Sequence, residues 1–477
     1  MDPIALRSVA SVRTGRSPAG QSAINTAAGL LVMAVALVAP LPFGSVHPIS
    51  WAFFAMLLGG AGLAYVMALA RIGGVLRFPL AAIGPGIGLF LATCLFLVVQ
   101  MLPIAWLLPP GLLGAEAAPG ETISIAGDAT MLMLMRQLGY GVFFFLALQS
   151  MVNDGRNRLM GRAMLIGIAF YAVGAIFALQ AGDTLLGLPK TAYQGSATGP
   201  FVNRNSFATF LAFGAMLALA QLCRHVVAQV ERHRNDGMVP GGMSSIMLHA
   251  MLYLLLVSTV IATQSRMGLM ATLLGSASIV TVALLRATAS RMAALGIVGA
   301  MAAALASGLV LFGDALMDRL GDSEAAAMQR SDLYAQVWEL VLQRPFLGFG
   351  GGAFELAFPR VHQEPVSFHY VWDKAHSTYL TLWSELGLVV GSLPVLALFA
   401  LAAVLVRGLL RRPRNWAAPT AALGALMVAA THSLVDFSLE IEANMFVLLL
   451  IVASGLAAVA SETPRARRDL PDSLHTL

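Results

Sequence analysis

Residues 329–391 read QRSDLYAQVWELVLQRPFLGFGGGAFELAFPRVHQEPVSFHYVWDKAHSTYLTLWSELGLVVG, and a change of character inside this stretch decides the fold. Up to His376 the segment mixes arginines, histidines, acids and a Gly-Phe-Gly-Gly-Gly turn. Beyond it the residues become apolar for about one bilayer thickness. A polar loop that feeds a lipid-soluble helix is the signature of a polytopic membrane protein, and polar chemistry gathered in one such loop marks a site.

Working outward, the composition agrees. Of 477 residues, 58% are apolar and 11% charged, and the mean hydropathy is +0.79. That is too few charges to cover a soluble protein of this length. Apolar runs of about 20 residues begin at 24–43 and recur near 50–70, 78–102, 130–152, 163–181, 207–223, 246–263, 267–285, 292–313, 377–406, 417–436 and 440–460. The expected fold is therefore all-α and polytopic, with about twelve transmembrane helices and a large loop between the ninth and tenth. Residues 1–23 carry Arg7, Arg13 and Arg16 ahead of the first run. A cleavable signal peptide would look similar, but the run is long enough to span, so it reads as a retained helix.

The charges then test the topology. With the N-terminus in the cytoplasm, 20 of the 29 Lys and Arg fall on inner segments, the positive-inside pattern. The expected layout is a cytoplasmic tail 1–23, spans one to nine over 24–313, a periplasmic loop with surface helices over 314–376, spans ten to twelve over 377–460, and a cytoplasmic tail 461–477. The formal charge of +5 is thereby distributed along the chain, which excludes nucleic acid as a partner. Cys94 and Cys223 fall in apolar runs at opposite membrane faces, too far apart to bridge, and read as small buried hydrophobes.

Eight basic residues remain outside: Lys190, Arg204, Arg266, Arg319, Arg330, Arg344, Arg360 and Lys374. Surface solvation accounts for Arg319 and Arg360. Arg204 lies in TGPFVNRNSFATF, where Gly-Pro makes a turn and Asn203 or Asn205 can cap the next helix; a helix N-terminus there favours anions. Arg266 lies in the tight turn TQSRMGLMA. For both arginines, an interfacial anchor and an anion ligand stand side by side. Arg330 opens a helix with apolar Leu333, Val337, Leu340 and Val341, the spacing of a helix lying on the membrane surface. The glycines at 348 and 350–352 can expose backbone N–H groups to phosphate, although no Walker pattern is present.

His376 stands at the loop–span junction, with Tyr379 and Trp383 at i+3 and i+7, an aromatic ledge suited to a sugar ring or a lipid headgroup. Glu385 falls on the opposite face. His432 and Asp436, at i and i+4, end the eleventh span. His362, His369 and His376 are spaced by seven, but Pro365 interrupts any continuous helix and no local zinc pattern supports a metal site.

Taken in order, these pieces resemble the O-antigen ligase and polymerase superfamily of bacterial inner-membrane glycosyltransferases over roughly residues 195–445. The resemblance rests on GPFVNRNSFA at the opening of a span, the turn SRMG, an arginine followed by a long helix and a P-x-x-G-x-G loop, and A-H-x-x-Y-L leading into E-L-G. The family often has asparagine after the histidine, where this chain has Ser377, a departure that bears on acceptor choice. The resemblance implies a C-type membrane transferase that takes a glycan from undecaprenyl diphosphate and passes it to lipid A–core or a growing polysaccharide, or in related members to protein. It also implies that no metal cofactor is needed. On that reading Arg204, Arg266, Arg330 and Arg136, the last inside the fourth span, hold the diphosphate. His376 is the general base, and Tyr379, Trp383, His432 and Asp436 line the acceptor side. The rival is a twelve-span secondary transporter, but no repeat relates the halves and the key charges lie at span ends rather than midplane.

Overall fold

The computed structural model describes residues 20–113, 118, 120–236, 242–287, 323–369, 371–411 and 415–468. The chain is an α-helical membrane protein. The long helices among the described residues are α1 (Gln21–Val38), α2 (Pro48–Arg71), α3 (Gly84–Met101), α4 (Gly127–Met151), α5 (Asp154–Gln180), α6 (Arg204–Asp236), α7 (Met243–Ala262), α8 (Arg266–Ala287), α9 (Ser323–Gln343), α10 (Thr378–Leu410), α11 (Ala417–His432) and α12 (Glu442–Arg468). Ten of them are long and apolar enough to cross a membrane, and α11 is a shorter apolar helix. Eleven of the twelve expected spans thus have a helix in place. The ninth, near 292–313, and Arg319 lie outside the described residues.

Helix starts follow local chemistry. Asn153 caps α5 by accepting from the Arg156 amide at 3.0 Å, and Asn203 caps α6 by accepting from Asn205 at 2.7 Å. Two helices form the interior. The apolar windows of α6 and α12 are 83% buried, against 17% for α7 and α10, so the latter pair present most of their surface to lipid. Phe446 of α12 is ringed by Phe54, Tyr140 and Phe143 at 5.6, 5.6 and 4.8 Å. Small residues let α11 lie close against α8: a Cβ at Gly275 would come within 2.7 Å of the Val428 side chain and 2.9 Å of the Gly424 carbonyl.

The described part of the long loop is a packed unit. Helix α9 begins at Ser323, so Arg330 lies within it rather than at its start. The four apolar residues expected to face the bilayer, Leu333, Val337, Leu340 and Val341, are fully buried in protein. Leu333, Val337 and Leu340 pack with Phe349, Phe354, Phe358 and Val366 into a core of the loop's own. An amphipathic period does not say which apolar surface it meets, and here the partner is the loop itself.

The glycine turn clamps that unit to the bundle. Gln100 of α3 donates to the carbonyls of Leu347 and Glu385 at 2.8 and 2.9 Å and accepts from Gly351 at 3.1 Å. Phe349 and Gly350 donate to the carbonyls of Ser384 and Glu385, both at 2.9 Å. These amides are used within the fold, so the phosphate-cradle expectation gives way to a structural one. The approach requires glycine: at Gly348 a Cβ would lie 2.3 Å from the Glu385 backbone, and Gly387, where α10 kinks with φ 74°, faces the Phe346 backbone at 2.4 Å.

Candidate functional site

The elements above bring one end of α6, α8, α10, α11 and α12 together beneath the loop. Arg204 opens α6 next to its Asn203 cap. Its guanidinium lies over the Tyr193 ring at 5.5 Å and donates to Ser196 Oγ at 3.3 Å. Arg266 opens α8, where Ser265 Oγ accepts from the Gly268 amide at 3.2 Å. A Cβ at Gly268 would meet Ala208 at 2.7 Å, so α8 closes tightly on α6 and carries its arginine toward Arg204. Arg204 is close enough to feel the charges of both Arg266 and Arg330. Among the described residues, no carboxylate lies within salt-bridge distance of Arg204 or Arg330. Arg204 and Arg330, like charges near enough to sense one another, repel unless an anion joins them.

His376 faces the same space. Its backbone is left-handed, φ 53°, and Ser377 rather than His376 caps α10. The imidazole packs against Trp372 and Phe437 at 5.8 and 5.2 Å, and its backbone carbonyl accepts from Tyr334 Oη at 2.9 Å. Tyr334 sits one turn beyond Arg330 on α9, so the loop helix positions arginine and histidine together. Nδ1 of His376 is buried without a hydrogen-bond partner. Burial pulls the His376 pKa below the usual histidine value; nearby Asp436 opposes the shift and Arg330 adds to it.

Because α10 starts at Thr378, the i+3 and i+7 register does not extend back to His376. Tyr379 and Trp383 remain neighbours, their rings 6.3 Å apart. Tyr379 Oη donates to the Ala430 carbonyl at 3.0 Å, while Trp383 donates to Ser392 at 3.0 Å and meets Trp338 edge-on at 6.2 Å. Their contacts are with α11, α9 and α10 itself rather than with the histidine ring. Glu385 is buried and accepts from the Phe354 amide at 3.4 Å.

His432 and Asp436 are both buried, but α11 ends at His432, so helical spacing does not pair them. Each is tied to α6 instead. His432 Nδ1 shares a hydrogen bond with Thr209 Oγ1 at 2.6 Å, and Asp436 accepts from Asn205 Nδ2 at 2.9 Å and from the Ser438 hydroxyl. Asn203 and Asn205, interchangeable as caps in the sequence, thus divide their roles. Arg136 stands apart from the other arginines: it covers the Trp51 ring at 4.5 Å, donates to the Glu440 carbonyl at 3.4 Å, and feels Glu440 and Glu442. Burial raises the Glu440 pKa, with Lys374, 3.8 Å away, as the main opposing charge.

Two other outer cations are structural. Lys190 bridges Asp183 at 2.5 Å and the Ser196 carbonyl at 2.6 Å, clipping the loop above α6. Arg344 donates to the carbonyls of Leu113 and Ile123 at 3.0 and 3.2 Å. The spaced histidines occupy different settings, His362 stacking on Phe358 and Phe368 at 5.1 and 4.1 Å. Tyr193, Thr209 and Tyr334 are parts of the site that no local sequence pattern marked.

Residues 251–395 match the family model described as O-antigen ligase. The match spans Arg266, Arg330, His376, Tyr379 and Trp383, and leaves Arg136, Arg204, His432 and Asp436 outside it. No curated protein matches the chain. Over residues 251–395, then, the chain carries the O-antigen ligase signature and is similar to that family.

Proposed function

We propose that this protein is a glycosyltransferase of the bacterial inner membrane that moves a glycan from undecaprenyl diphosphate to an acceptor hydroxyl at the periplasmic face. The acceptor is lipid A–core for a ligase, or the end of a growing surface polysaccharide for a polymerase. The O-antigen ligase match supports the class of reaction. The gathering of Arg204 with Arg266 and Arg330, and of Arg330 with His376, is the observation that carries the site. In this reading both tails are cytoplasmic and residues 314–376 are periplasmic.

The chemistry follows from those groups. The acceptor oxygen attacks the anomeric carbon as the bond from that carbon to the diphosphate oxygen breaks, and the electron pair leaves with the diphosphate. Arginine forks facing that diphosphate stabilise the charge that develops on it. The acceptor hydroxyl's proton passes to His376, which its lowered pKa keeps neutral and basic near pH 7. Single displacement inverts the anomeric centre, and the arginines take the place of a metal. Arg136, engaged by the Trp51 ring and the Glu440 carbonyl, is better suited to ordering the floor of the site than to holding the donor.

Purified protein supplied with a lipid-linked glycan donor and either acceptor tests this proposal. Transfer with release of undecaprenyl diphosphate, unaffected by chelation, is expected. Transfer that a chelator abolishes and a divalent metal restores would refute the arginine–histidine mechanism. Substrate passage across the bilayer without glycan transfer would favour the transporter.

A further inference from the structure

Eleven buried side-chain polar atoms among the described residues have no hydrogen-bond partner, and nine of them lie at the end of the bundle described above. The remaining two, Gln21 Oε1 and Gln149 Nε2, lie at the opposite end, beside a cavity of about 520 Å³. Ser22 and Asn25 of α1, Arg77, Gln149 of α4, and Asn153 and Arg156 at the start of α5 are among the residues that line it. That volume is in the range of ligand pockets.

Its chemistry is that of an anion site. Arg77 and Arg156 are close enough to repel one another. Arg156 is oriented by the Ser150 carbonyl at 3.0 Å and the Thr26 hydroxyl at 3.3 Å. The first turn of α5 adds the positive end of a 27-residue helix. One carboxylate, Asp154, also lines the cavity and accepts from Ser461 at 3.0 Å. Gln149 is fully buried, and its orientation is set by its neighbours. Oε1 accepts from the amides of Arg77 and Phe78 at 2.8 and 3.2 Å, so the side-chain nitrogen must be the end left without a partner. A buried amide donor without an acceptor is costly unless something accepts from it.

The surroundings suggest where the acceptor comes from. Val75 and Leu76, just before Arg77, and Leu159, one turn beyond Arg156, are exposed apolar residues, which acyl chains can cover. We infer that this cavity binds the phosphate of an anionic phospholipid headgroup, held by Arg77, Arg156 and Gln149 Nε2, at the end of the bundle opposite the transfer site. The inference is independent of the proposed glycan transfer.

Native mass spectrometry of the full chain, released from detergent and titrated with phosphatidylglycerol or phosphatidylcholine, tests it. The wild type should retain phosphatidylglycerol over phosphatidylcholine. Arg77→Gln should weaken that retention about fivefold. Gln149→Glu keeps the acceptor for the two amides but replaces the free donor with an anionic oxygen, and should weaken it at least as much. Each variant is compared at an unchanged size-exclusion profile, and Arg411→Gln, outside the cavity, serves as the control for general surface charge. Competition by millimolar inorganic phosphate, with no lipid preference, would assign the site to the free anion and overturn the lipid source. Equal retention of both lipids by wild type and variants, with phosphate inert, would overturn the site itself.

Discussion

Arg330, within α9, and Arg344, just past its end, are 14 positions apart and have opposite surroundings. Arg344 is satisfied: two backbone carbonyls accept from it, and its guanidinium covers the Phe349 ring at 4.8 Å. Arg330 is near enough to act on both Arg204 and His376, and among the described residues it has no carboxylate at salt-bridge distance. An arginine that meets carbonyls fastens a loop; on the proposed mechanism, one that meets another arginine holds an anion. That proposal separates structure from function in a chain whose outer cations look alike in sequence.

The largest effect belongs to the group beside Arg330. His376→Ala should lower the transfer rate about 10²–10⁴-fold, the usual loss for a general base, with normal insertion and expression. His362→Ala and His369→Ala should retain most activity in the same assay. If all three variants behave alike, His376 has no special role and the Arg330 neighbourhood loses its chemistry.

Next come the arginines themselves. Lysine keeps the charge but not the fork, so Arg266→Lys and Arg330→Lys should each reduce transfer about tenfold or more with little change in thermal unfolding. Arg344→Met should do the reverse. It removes two hydrogen bonds from a charged donor, each worth about 1.5–3 kcal/mol, so its melting temperature should fall while activity at low temperature persists. A drop in stability for Arg330→Lys equal to that for Arg344→Met would erase the distinction.

A smaller effect is the pH dependence. On the proposed mechanism the base works when neutral, and burial holds the His376 pKa below the ordinary value. The acid limb of kcat/KM should therefore fall below pH 6.5. Arg330→Gln removes a charge that lowers this pKa and should move the limb upward, whereas Asp436→Asn should move it downward. A limb at or above 6.5 in the wild type would contradict the assignment.

Much of this was legible in the sequence because lipid leaves few options. Each span must satisfy its own backbone in about 20 residues, so helices appear where the apolar runs do. Arg266 and His376 were visible as polar residues at span ends. What could not be read are partnerships across long separations. Gln100 meets Leu347 across 247 positions, and Asn205 meets Asp436 across 231. Nothing near Gln100 distinguishes it from any polar residue at a span end. The face of α9 was legible as apolar, but its partner was not. The register around His376 failed for a local reason: the chain turns left-handed there, and the helix waits for Ser377 to cap it.

The smallest expected effect is a silent one. Ser367→Cys in the loop should leave transfer unchanged and react with a membrane-impermeant thiol reagent in intact spheroplasts. Labelling only after inversion of the membrane would reverse the orientation and put the arginine cluster on the cytoplasmic side.

The most direct test of the arginine contrast is equilibrium binding of undecaprenyl diphosphate to the purified protein in detergent. Arg266→Gln and Arg330→Gln should each weaken binding about tenfold or more, while Arg344→Gln should bind as the wild type does. Equal affinities for all four proteins would contradict the claim that the clustered arginines hold the donor's diphosphate.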